Sequence, residues 1–269
     1  MIDWDDAFEI SGHIPGAQDL PDIWARQAAA FRDAWAAKGL LQSDISYGPA
    51  TRHRYDLFVP EGDSAGLFIF IHGGYWRRFD KSFWSHLAEG ALHAGWTVAM
   101  PSYVLAPEAR ISDITKAIAS AVTTAAAATP GSIRIAGHSA GGHLASRMMC
   151  DGVLPSAVSG RLARVLSISG LHDLAPLCLI QLNEILRLTE NEARAESPAA
   201  LTPLTGVPFT AWVGAQERPE FLRQTRLIEE AWTRHDIDAS AIYDAGHDHF
   251  TVIEALRQPD SPLTQVILA

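Results

Sequence analysis

From Leu67 onward the chain alternates short apolar runs with amphipathic stretches, and this alternation limits the possible folds more than any other feature. Leu67–Ile71 (LFIFI) is apolar at every position, as a central strand covered by helices on both faces requires. Lys81–Ala94 sets Trp84, Leu87, Ala88 and Ala91 on one helical face and stops at Gly95. Trp96–Met100 reads as a strand, Ile111–Ala128 as a helix, Ser132–Ala136 as a strand and Ala140–Cys150 as a helix. Val165–Ile168 and Pro208–Val213 are further strands. Glu220–Arg234 reads as a helix, Ala239–Tyr243 as a strand and Phe250–Leu256 as a last helix. Such repetition predicts an α/β fold, a mostly parallel sheet with helices on both faces. Ahead of it come a strand at Arg52–Val59 and a helix at Asp22–Lys38, with Trp24, Ala28, Phe31 and Trp35 in one stripe. A chain of 269 residues suits one such domain. Two stretches break the rhythm, the arm 1–45 and the insertion 171–206. Both are expected to lie over the strand ends as a small helical cap that helps wall a pocket.

The net charge of −10 argues against nucleic acid and anionic membrane surfaces as partners, since both select basic patches. The N-terminus MIDWDDAFEI lacks the basic-then-apolar pattern of a secretion signal, and no apolar run reaches the length of a membrane span. Cys150 and Cys178 sit among apolar residues with no CxxC or Cys/His cluster, so buried free thiols are expected. The expectation is a soluble, cytoplasmic protein acting on a small molecule.

Gly137-His138-Ser139-Ala140-Gly141 fits G-x-S-x-G between a strand and a helix. A nucleophile in so tight a turn needs small residues two positions to either side, which Gly137 and Gly141 supply, and the following helix N-terminus favours developing negative charge. His72-Gly73-Gly74-Tyr75-Trp76 follows the strand Leu67–Ile71, where two glycines let backbone N–H groups approach a substrate. The N–H groups of Gly73, Gly74 and Ala140 are the candidate oxyanion donors. His72 is expected to orient this loop, and His138 and His143 to be structural or pocket-lining. Ser139 needs a base, and the base needs a carboxylate. Gly246-His247-Asp248-His249-Phe250 offers two histidines. His249 is favoured over His247 because it directly precedes the last apolar segment. Glu217, just past the strand Pro208–Val213, is the favoured acid, with Asp173 and Glu220 as alternatives. The His247/His249 pair has no further ligand set, so neither metal nor cofactor is expected.

These residues resemble the kynurenine formamidase (arylformamidase) branch of the α/β-hydrolases, close to the hormone-sensitive-lipase-like esterases. The likeness runs from about Tyr47 to the C-terminus. HGGYW at His72–Trp76 is similar to the family's H-G-G-x-W. Tyr103–Glu108 (YVLAPE) and Ser169–Leu174 (SGLHDL) resemble its segments, and Asp248-His249-Phe250 matches its D-H-F. Where family members carry Asp before P-E-F, this chain has Glu217. The resemblance implies a Ser139–His249–Glu217 triad acting on N-formyl-L-kynurenine or a related aryl formamide. Short-chain carboxylic esters are the alternative, and a non-catalytic binding protein on the same fold is a remote one. Tyr75 and Trp76 would pack an aromatic leaving group, and Arg77, Arg78 or Arg110 could meet a carboxylate.

Overall fold

The computed structural model describes residues 2–235 and 237–269. One sheet contains β1 (Leu41–Ser46), β2 (Arg54–Phe58), β3 (Gly66–Ile71), β4 (Thr97–Pro101), β5 (Ser132–His138), β6 (Leu162–Ile168), β7 (Phe209–Gly214) and β8 (Ala239–Asp244). Their order is β1-β2-β4-β3-β5-β6-β7-β8. The pairs β1/β2 and β2/β4 are antiparallel and all the others parallel. The helices are α1 (Trp4–Phe8), α2 (Leu20–Ala37), α3 (Glu89–His93), α4 (Ile111–Ala128), α5 (Ala140–Met148), α6 (Ser156–Ser159), α7 (Asn183–Leu186), α8 (Glu190–Glu196), α9 (Pro219–Thr233) and α10 (Pro262–Leu268).

β3 shows why this sequence gives two layers of helix. Successive strand side chains point to opposite faces. Leu67, Ile69 and Ile71 enter the core shared with α4, α5 and α9, while Phe68 and Phe70 enter the one shared with α2, α3 and α10. Every residue of β3 is buried, as an all-apolar strand in a doubly covered sheet must be. By contrast, the edge strand β1 (LQSDIS) is largely exposed and carries little apolar pattern, so only its pairing with β2 defines it.

Two predicted helices are corrected. Lys81–Ala94 breaks into 3₁₀ turns at Lys81–Phe83 and Ser85–Ala88 before α3. Trp84 leaves the helical region (φ −125°, ψ 2°) and packs against Trp24 with ring centroids 4.7 Å apart. Phe250–Leu256 is not an α-helix either. The Asp248 carboxylate accepts the N–H groups of Phe250 and Thr251, each at 2.9 Å, a cap-like turn that runs on as turns and a 3₁₀ segment at Glu254–Arg257. The last helix is α10, begun by the Ser261 hydroxyl accepting from the Thr264 N–H (3.1 Å), with Pro262 in its first turn.

The insertion 171–206 carries α7, α8 and two 3₁₀ segments. No residue of it lines the Ser139 cavity, which corrects its expected role as a pocket wall. It braces the arm from outside instead, and the Gln181 N–H donates to Asp5 Oδ1 at 2.7 Å. Both cysteines are free. Cys150 is buried as expected, but Cys178 is only partly so. Among the described residues no helix is long and apolar enough to cross a membrane.

Candidate active site

Parallel strands in one sheet deliver their C-terminal ends to one edge, and four of them bring the candidate residues there. β5 ends at His138, and Ser139 follows with φ 57° and ψ −120°, a conformation costly for any residue with a Cβ. Packing enforces it. A Cβ at Gly137 would lie 2.0 Å from the Gly141 carbonyl oxygen, and one at Gly141 would lie 2.0 Å from that of Ile71. The Ser139 N–H donates to the Ile168 carbonyl at 2.8 Å, and its carbonyl accepts from the His143 N–H at 3.1 Å. Its hydroxyl makes no hydrogen bond among the described residues.

The loops after β7 and β8 cross at Gly214. A Cβ there would lie 2.4 Å from the His247 carbonyl oxygen, so only glycine permits the approach. The N–H groups of Ala215 and Gln216 donate to the carbonyls of Asp244 (2.8 Å) and His247 (3.0 Å) and lock the two loops together. This brings Glu217 Oε2 within 2.6 Å of His249 Nδ1. The other carboxylate oxygen, Oε1, accepts from the Ser169 hydroxyl (2.5 Å) and the Gly214 N–H (2.9 Å). Both side chains are buried. A carboxylate at Nδ1 holds the imidazole proton there and leaves Nε2 as the basic nitrogen.

The alternatives lie elsewhere. His247 is partly exposed, with Asp244 as its nearest carboxylate at 3.3 Å. Asp173 and Glu220 both pair with Arg223, at 3.1 and 2.8 Å. Gly73 packs directly on the nucleophile, since a Cβ built on it would lie 3.0 Å from Ser139 Cβ. The N–H groups of Gly73, Gly74 and Ala140 make no hydrogen bond among the described residues. Ala140 opens α5, where helical N–H groups lack partners and the dipole is positive. His72 donates through Nδ1 to the Gly73 carbonyl (2.8 Å) and stacks on Tyr103 at 4.4 Å. Burial lowers its pKa to about 4, so it stays neutral. His138 Nε2 donates to the His249 carbonyl at 2.8 Å, and burial pushes its pKa well below the ordinary value.

Residues 68–174, which contain both the glycine loop and Ser139, match a family of alpha/beta hydrolase fold. Over its whole length the chain is 48% identical to a solved structure from Silicibacter sp., a protein provisionally named a thioesterase, with 100% of both chains covered and a TM-score of 0.95. The chain belongs to the α/β-hydrolases. This α/β-hydrolase is also similar to the kynurenine formamidase of Salmo salar, at 28% identity over 86% of this chain and 83% of that protein. An esterase of Pyrobaculum calidifontis shares the fold at 16% identity, with a TM-score of 0.72 and 93% and 92% of the two chains covered.

In this α/β-hydrolase Ser139 and His249 line one cavity of about 560 Å³. The arm supplies much of its wall through Phe8, Ile10, Gly12, Pro21 and Trp24, while Tyr75, Phe79, Trp84 and Phe250 add aromatic surface. The Tyr75 hydroxyl donates to the Phe8 carbonyl at 2.6 Å and ties the arm to the glycine loop. An Arg218–Asp6 ion pair holds the arm from its other side. Trp76 is corrected as a substrate contact. Its backbone is left-handed (φ 54°), its indole is fully buried, and it meets His143 edge-on at 5.2 Å behind the cavity. Arg110 is likewise placed elsewhere, paired with Glu192. Ser169 escaped the sequence reading as a partner of the acid. Its place as the first residue of the Ser169–Leu174 (SGLHDL) segment is the signal the sequence offers for it.

Proposed function

We propose that this α/β-hydrolase is a serine hydrolase of the arylformamidase type, with Ser139 as nucleophile, His249 as base and Glu217 as orienting acid. The observation that carries the reading is the buried His249–Glu217 contact of 2.6 Å, with His249 lining the same cavity as Ser139. In the first step Ser139 Oγ bonds to the formyl carbon while His249 Nε2 takes the hydroxyl proton. The carbonyl oxygen, now an anion, accepts from the N–H groups of Gly73, Gly74 and Ala140. Such preorganised donors are worth roughly 3 kcal/mol apiece at the transition state. His249 passes its proton to the leaving nitrogen, the C–N bond breaks and the aryl amine departs. Water, deprotonated by His249, attacks the formyl ester and releases formate, which restores Ser139.

The kynurenine formamidases among its relatives and the aromatic cavity wall support a formamide on an aromatic amine as the substrate. The decisive comparison is kcat/KM for N-formyl-L-kynurenine against a short-chain aryl ester. Rates for the formamide equal to or above those for the ester are expected. An ester preference of several orders of magnitude would overturn the formamidase reading in favour of a carboxylesterase.

Ser169 tests the acid's part. Ser169→Ala removes a hydrogen bond to a buried carboxylate, the type that contributes about 1.5–3 kcal/mol. The expected result is a fall in kcat/KM of roughly 10- to 100-fold. Unchanged steady-state kinetics in the variant would show that Glu217 does not depend on that contact.

A further inference from the structure

The protein is acidic, with a net charge of −10, yet apart from the histidines the charged side chains on the wall of the Ser139 cavity, among the described residues, are Glu9, Arg77 and Arg78. The catalytic cavity thus concentrates cations on a chain that has few to spare. Other arginines near the site are already engaged. Arg52 donates to the carbonyls of Tyr103 (2.7 Å) and Phe79 (2.6 Å), Arg218 pairs with Asp6, and Arg223 pairs with Glu220. Arg77 differs from these. It is half-buried, its Nε is shielded from solvent without a hydrogen-bond partner, and its guanidinium forms no ion pair among the described residues. Glu9 does not fill that role. It is exposed on the arm, and its Oε1 accepts from the Gly12 N–H at 2.8 Å.

The backbone holds Arg77 firmly. The N–H groups of Arg77 and Arg78 both donate to the Gly74 carbonyl at 3.0 Å. Trp76, immediately before them, is locked in the core. The cation is therefore mounted on the same loop as the oxyanion donors Gly73 and Gly74. A guanidinium partly withdrawn from water and lacking an anion is unfavourable until one arrives, and its planar fork suits a carboxylate. Arg78 lies with its guanidinium carbon 5.2 Å from the Phe79 ring centroid and adds positive field at the same wall.

We propose that Arg77 is a specificity-determining residue that binds a carboxylate on the substrate, so that the enzyme selects acylated aromatic acids over their neutral counterparts. The proposal rests on the serine-hydrolase reading. A formyl group has no room for a charge, so the carboxylate belongs to the leaving group.

The test uses two acetate esters that differ only in that charge, 3-acetoxybenzoate and 3-acetoxybenzamide. Both are aryl esters, so the outcome does not hinge on formamide chemistry. The full-length protein is expected to favour the acid by roughly 10- to 100-fold in kcat/KM, carried mainly by KM, the range for one charge-assisted hydrogen bond. Arg77→Gln should bring the ratio close to unity. Arg77→Lys should keep part of it, because charge remains while the fork is lost. The readout is a ratio within each protein, so a loss of folded enzyme lowers both rates and cancels. A wild type without preference, or a ratio that survives Arg77→Gln, overturns the proposal and leaves Ser139-dependent turnover standing. Absence of Ser139-dependent turnover of either ester removes the proposal and the serine-hydrolase reading together.

Discussion

Ser139→Ala is expected to lower kcat on an activated aryl ester by roughly 10⁴- to 10⁶-fold, the scale seen when a nucleophile is removed from a triad. The His249–Glu217 pair and the oxyanion donors remain, but no oxygen is left to form the acyl ester. Stability should hardly change. The Ser139 hydroxyl makes no hydrogen bond among the described residues, and alanine meets the same backbone strain at φ 57°. A thermal melt recorded beside the ester assay separates the two effects. Wild-type turnover in a folded Ser139→Ala protein would end the serine-hydrolase proposal, and a collapsed melt would show that the hydroxyl holds the turn together.

Acidification should unfold this protein well before its carboxylates protonate. His72, His138, His143 and His172 are buried. Burial is the first cause of the downward shift in each, which leaves His72 and His172 at about 4, His143 at about 3 and His138 well below its ordinary value. Each ring reaches a backbone carbonyl, that of Gly73, His249, Glu196 or Gln224, with one nitrogen, and the second nitrogen of His72 and of His143 is shielded from solvent without a partner for another proton. In the unfolded chain the same rings protonate near 6.5. Between that value and about 4 the unfolded state therefore binds more protons. The stabilisation is complete above 6.5 and declines as pH falls. At about pH 5 the loss is on the order of 2 kcal/mol per ring, and several kcal/mol together. That is a large share of the 5–15 kcal/mol typical of a whole domain. Urea midpoints should drop steeply between about pH 7 and pH 5, and a flat profile over that interval would refute the argument.

Periodicity placed most of the sheet and the long helices because those elements obey local rules. Ile111–Ala128 is a helix at the predicted bounds, and β3 is buried at every residue. The rule weakens where a distant partner overrides local preference. Trp84 breaks its helix to meet Trp24, and Phe250, packed edge-on against the same Trp24 at 5.5 Å, heads a run of turns rather than an α-helix. β1 exists only through β2.

The same division runs through the site. The sequence alone determined that a nucleophile turn and a glycine loop must each follow a strand, since the glycines at 137, 141, 73 and 74 answer steric demands read over a few residues. Only the tertiary structure chose Glu217 over Asp173 and Glu220 as the partner of His249, turned Trp76 into the core, and brought the arm rather than the 171–206 insertion to the cavity wall. Those outcomes depend on which loops cross and which backbones go left-handed. Such choices arise from contacts between residues far apart in the chain, and a one-dimensional pattern does not encode the distances between them.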